Sequence, residues 1–126
     1  MNIFKSLCAI AATAMLLSGC GTAKSNSTTV PSYIPTLEVS ANVNGDSATL
    51  QITTDLILSK QHKDQARQQG EGHIHYSLDG GEKQVLTDKQ EVLEHLSKGS
   101  HSVKLSLHNN DHTPYEVSKT ISFEVK

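Results

Sequence analysis

The stretch Gly72-His73-Ile74-His75-Tyr76-Ser77-Leu78 sets two imidazoles two residues apart in an alternating run. If Ile74, Tyr76 and Leu78 face a core, His73 and His75 share the opposite face, because successive side chains of a strand alternate. Residues two apart on one face are separated by about 6.6 Å along the strand. Two imidazoles at that spacing can tilt toward one ion, and zinc(II) or copper(II) would be the natural guest for neutral nitrogen ligands. Two ligands do not complete such a site, so a third must come from elsewhere in the fold. The chain holds seven histidines and no tryptophan. Histidine is its main compositional anomaly: His62, His73, His75, His95, His101, His108 and His112 all lie beyond residue 60.

The elements that would position these residues have a period of two. Leu37, Val39, Ala41 and Val43 alternate with polar neighbours, then Asn44-Gly45-Asp46 turns the chain, and Ala48, Leu50 and Ile52 alternate again, a hairpin signal. Val103, Leu105 and Leu107 share one face of a later run, and Ile121, Phe123 and Val125 share one face of the last. The polar segment 60–70 is read as a turn of helix or a loop. Segment 88–96 is read as a short helix or a strand, with Val92, Leu93 and Leu96 fitting a helical stripe better than an alternation. Six or seven short strands in this length predict an all-β, antiparallel sandwich.

The phrase Leu96-Ser97-Lys98-Gly99-Ser100-His101-Ser102-Val103-Lys104-Leu105-Ser106-Leu107 resembles the approach to strand F of immunoglobulin-like and fibronectin-like domains. There a Gly-x-Tyr stands at the corner; here His101 takes the tyrosine's place. The resemblance implies about seven strands over 36–126: A near 36–43, B near 48–58, C near 73–78, C′ near 83–86, E near 91–96, F near 101–108 and G near 118–125. It also implies that C and F are antiparallel neighbours. The start of C, with His73 and His75, then lies beside the end of F, with His108, and beside the loop holding Asp111 and His112. These five residues are the candidate metal ligands. The loop before strand C, with His62 and Glu71, closes the same end. His101 lies at the far end of F, about 23 Å from His108, with the parity of the core, and is expected to bond a backbone carbonyl as a structural corner. His62 and His95 are expected on the solvated surface.

Two further resemblances concern location. Lys5, the apolar run Leu7–Leu17 and Leu17-Ser18-Gly19-Cys20 resemble the signal and lipobox of bacterial lipoproteins. This implies a signal peptide over 1–19, a diacylglycerol on Cys20 that anchors the chain to a membrane, and a flexible tether over 20–35, small and polar in composition. The apolar run is shorter than the roughly 20 residues of a membrane-spanning helix. Of the two cysteines, Cys8 falls in the signal, so no disulfide is expected. The phrases around His73, His75, His101 and His112 resemble a group of small bacterial envelope proteins with a Gly-His-x-His, Gly-x-His, Asp-His-x-Pro pattern, which implies an extracytoplasmic sandwich.

Net charge is −2 with neutral histidine and no basic cluster is present, so nucleic acid is not an expected partner. Glu71 or Asp111 would nominally serve a metal hydrolase as base, but there is no Gly-x-Ser-x-Gly and no glycine-rich phosphate loop. The chain is therefore read as a non-enzyme. Two readings remain. One is a lipid-anchored, extracytoplasmic binding module for copper(II) or zinc(II). The other is a structural module whose end loops contact another envelope protein, with no metal.

Overall fold

A computed structural model describes Gly21 and residues 32–126. The signal segment 1–19, Cys20 and, apart from Gly21, the tether to residue 31 lie outside the described residues. Packing begins at Tyr33, whose ring meets Tyr115 edge-on at 5.9 Å, and Pro35 and Leu37 are buried.

Eight strands follow: β1 (Glu38–Asn44), β2 (Ser47–Thr53), β3 (Ile57–Leu58), β4 (Glu71–Leu78), β5 (Gln84–Leu86), β6 (Gln90–Leu93), β7 (Gly99–His108) and β8 (Pro114–Val125). They form two sheets, β1-β2-β6 and β3-β4-β7-β8, with β5 also on β4. This is the expected immunoglobulin-like sandwich. Asn44 pairs with Ser47 across a two-residue turn, and Gly45 supplies the left-handed φ of +60° that the turn needs.

The core lies between the sheets. Leu50 and Ile52 come from one, Ile74, Val103, Leu105 and Leu107 from the other, and all are buried. Each such side chain contributes roughly 1.5–3 kcal/mol relative to exposure. The period-two reading of the sequence selects these residues correctly, because alternation follows directly from strand geometry.

Two boundaries differ from the sequence reading. The run 48–58 is not one strand. Thr54 Oγ accepts from the Leu56 amide at 3.1 Å, and the Asp55 carboxylate accepts from the Thr36 amide at 2.7 Å. This turn carries the chain from the first sheet to the second, where β3 pairs with β4 in parallel, Ile57 opposite Glu71. In segment 88–96 the strand alternative holds, as β6 followed by a loop, and the better-fitting helical stripe does not. β6 pairs with β2, Ala48 opposite Leu93, so Leu93 is buried while Val92 is half exposed. A helical stripe would have buried both, but the open edge of β2 offers ladder hydrogen bonds that a helix cannot take.

Strand β4 pairs antiparallel with β7, so that His73 lies opposite His108 and His75 opposite Ser106. The start of one strand therefore meets the end of the other, beside the loops 59–70 and 109–113.

Candidate metal centre

Three imidazole nitrogens converge at this end of the sandwich. His73 Nε2 is 3.0 Å from His75 Nε2 and 3.0 Å from His112 Nδ1, and the last two are 3.3 Å apart. Ligands placed tetrahedrally at about 2.0 Å from zinc are roughly 3.3 Å from one another. The centre of the observed triangle is about 1.8 Å from each nitrogen, close to zinc's usual distance of about 2.0 Å, so these three residues would hold such an ion.

Each ligand is delivered by a different device. His73 and His75 come from strand alternation. His73, however, is fully buried, where the sequence reading put it on an open face. Its ring is packed by those of His75, His108 and His112, with centroids 4.9, 6.2 and 4.5 Å away. His73 Nδ1 is buried without a hydrogen-bond partner among the described residues, a cost of roughly 1–3 kcal/mol. His112 comes from a tight turn in which its amide donates to the Asn109 carbonyl at 2.9 Å and its backbone is left-handed, φ +67°. That conformation is unusual for a residue with a side chain and typical of functional sites.

The loop before β4 supplies what the sequence reading missed. Asp64 Oδ1 forms a short hydrogen bond with His112 Nε2, and the Asp64 amide donates to the Asn110 carbonyl at 2.9 Å. The Asp64 carboxyl is lowered to about 2, first by the hydrogen bond from His112 and then by Lys63. A carboxylate only accepts, so His112 Nε2 carries a proton, and the tautomer this selects has its Nδ1 lone pair facing the cluster. This is the carboxylate–histidine arrangement that orients metal ligands. A polar loop with an aspartate offered no signal that would have singled out Asp64.

Two residues read as ligands do not join the cluster. His108 stacks on His75 at 3.8 Å, but its Nδ1 donates to the His112 carbonyl at 3.0 Å and its Nε2 meets Ser106 Oγ at 2.8 Å. A register shift between Ser106 and His108 turns it to brace the His112 turn instead. Asp111 accepts from Arg67 Nε at 2.9 Å and from the Thr113 hydroxyl and amide, which hold its carboxyl at about 2. His62 pairs with Glu71 at 2.7 Å beside the cluster, and His95 is exposed.

His101 stands apart. Its Nε2 donates to the Ser97 carbonyl at 2.7 Å and its Nδ1 to Asp79 Oδ2 at 2.6 Å, while Asp79 Oδ1 accepts from the Ser102 amide at 2.8 Å. Both partners accept only, so the ring is an imidazolium in this state. The Ser97 carbonyl first, and then Asp79, raise its pKa above the usual value. That contribution to stability is complete below about pH 6.5, the ordinary histidine value, and is lost as pH rises through the raised pKa.

The cluster has the opposite sign. Burial first, and then the neighbouring imidazoles, push both His73 and His75 down to about 4. The unfolded chain takes up protons below about pH 6.5 that the folded cluster refuses, so stability falls as pH drops from about 6.5 toward 4. For buried His73 alone the loss by pH 4 is about 3 kcal/mol, at ~1.4 kcal/mol per unit. Urea unfolding of the metal-free chain across this range should show that fall, and a stability flat down to pH 4 would contradict it. Asp64→Asn should keep the fold but weaken zinc binding about 10- to 100-fold, the usual scale for an orienting partner. Competition with a chelator dye measures this, and unchanged affinity would remove Asp64 from the site.

The chain matches no protein-family model and no curated protein. Among solved structures it is similar to the PKD1 domain of Vibrio anguillarum Epp, with 10% identity and a TM-score of 0.51, over 75% of this chain and 96% of that one. The shared property is the sandwich fold. A second similar structure, the PKD1 domain of the Vibrio cholerae metalloprotease PrtV, has 15% identity and a TM-score of 0.48, over 74% and 98% of the two chains. At 10% identity the likeness to the Epp domain speaks for the sandwich fold alone and leaves the histidine cluster to be argued from its own geometry.

Proposed function

We propose that the chain is an extracytoplasmic lipoprotein, anchored to a membrane through Cys20, whose immunoglobulin-like domain binds one zinc(II) ion through His73, His75 and His112. The observation that carries this reading is the near-equilateral triangle of imidazole nitrogens, 3.0–3.3 Å on a side. Three neutral lone pairs aimed at one another repel unless a proton or a cation lies between them. Burial disfavours a second proton on His73 and His75, the single ring proton of each neutral imidazole can sit on its other nitrogen, and the Asp64 contact places a His112 proton on the far nitrogen. A cation is the one partner that all three lone pairs can share. A square arrangement about copper(II) would set one nitrogen pair about 4 Å apart, and no pair here is so wide. The triangle therefore favours zinc, although copper(II) can bind more tightly by intrinsic affinity.

In this reading the protein is a binding module and not an enzyme. The three ligands leave a fourth position for a solvent or exogenous ligand. Titration of the purified chain with zinc(II) and copper(II), followed by calorimetry and native mass spectrometry, should give one ion per chain with zinc held more tightly than micromolar. Weaker binding of both metals would leave the alternative, in which the loops at this end contact another envelope protein without a metal. The anchor has its own test. Cys20→Ser should shift the protein from the membrane to the soluble fraction, and a variant still pelleting with membranes would exclude lipidation there.

A further inference from the structure

Beside the triad, on the outer face of β4, β7 and β8, lies a groove of about 230 Å³. His75 is a wall shared with the metal centre, and His108, Ser106, Ser118, Lys83 and Lys104 line the rest together with one acid, Glu116. The sheet register explains the grouping. Ser106 lies opposite His75 on one side and Ser118 on the other, and Lys104 lies opposite Ser77. The register shift between Ser106 and His108 and the left-handed backbone of Glu116, φ +60°, bend β8 away from the flat sheet and open the depression. Bulges commonly re-aim side chains beside functional sites.

Charge decides what the groove would take. The ligand cluster consists of three histidines, and among the described residues no carboxylate joins it. A divalent ion held by neutral nitrogens keeps its full charge, which is costly in a partly desolvated place without a counter-ion. Asp64 touches only the far nitrogen of His112, and Asp111 is already paired with Arg67. With zinc bound, Lys83 and Lys104 outweigh Glu116 and the groove would be electropositive, and two serine hydroxyls supply donors. Its volume of about 230 Å³ suits a small acid and not a polymer.

We propose that this groove binds a small oxyanion, a carboxylate or phosphate, one oxygen of which takes the fourth position on the metal while Lys83 and Lys104 hold the remaining charge. The inference rests on the zinc reading, and cobalt(II) substitution separates the two. The visible bands of the cobalt-loaded full chain report the metal site itself. Their change on adding succinate or inorganic phosphate at millimolar concentration reports the groove, and comparison of the two probes tells organic acid from phosphate. Lys83→Ala with Lys104→Ala should leave cobalt binding intact and weaken the anion by roughly tenfold or more. If no cobalt spectrum forms, the metal site fails and the groove proposal with it. A cobalt spectrum indifferent to both anions, or an anion response equal in the lysine variant, overturns the groove proposal alone.

Discussion

Gly72→Ala is expected to destabilise the chain by at least about 3 kcal/mol, at the upper end of overpacking costs. A Cβ at residue 72 would overlap the His108 carbonyl oxygen and lie 3.0 Å from its carbonyl carbon. Both atoms are backbone, so no side chain can swing aside. The clash is relieved only by parting β4 from β7 next to the His73–His108 pair, which loosens the ladder and displaces His73 at once. For a domain of this size the midpoint of thermal unfolding should fall by more than about 12 °C. Gly45→Ala is the control. Nothing lies within 4 Å of a Cβ there, and the cost is only that of a left-handed alanine, about 1–2 kcal/mol. Urea unfolding of both variants decides the matter. If Gly72→Ala were no worse than Gly45→Ala, the close approach of the two strands would not be a constraint.

His75→Ala is expected to remove zinc binding, weakening it by far more than the roughly 100-fold upper scale of an orienting partner. It takes away one of three nitrogens while leaving β4 paired. The metal-free variant should unfold near neutral pH with little change in stability, and it should lose part of the acid sensitivity of the parent, because one of the two groups lowered to about 4 is gone. His112→Ala should behave alike toward zinc. His108→Ala should act through the His112 carbonyl it supports and cost less affinity than either. Removing His101 should spare zinc and lower stability through the loss of the Asp79 and Ser97 contacts. Calorimetry with each variant orders these effects. Equal zinc affinity in His75→Ala and the parent would mean that the triangle of nitrogens is not the binding site.

Alternation along each strand was enough to determine the fold class, the inward set Ile74, Leu105 and Leu107, the shared face of His73 and His75, and the inward parity of His101. All of these depend on the two-residue period of the backbone, a local property that neighbouring residues carry in full. The antiparallel pairing of β4 with β7, implied by likeness to immunoglobulin domains, was enough to bring His112 near the pair. What only the tertiary structure decided are features made by loops folding over the sheet end. The segment 59–70 closes on the 109–113 turn through the Asp64 amide and the Asn110 carbonyl, 46 residues apart in sequence, and it brings the Asp64 carboxylate to His112. The diversion of Asp111 to Arg67 follows from that closure, whereas the left-handed backbone at His112 belongs to its own turn and the stacking of His108 on His75 to the pairing of β4 with β7. A strand states its side-chain directions in its own pattern, whereas a loop's conformation is set by partners far away in the chain, and so the choice of ligands among neighbouring histidines and acids was made there.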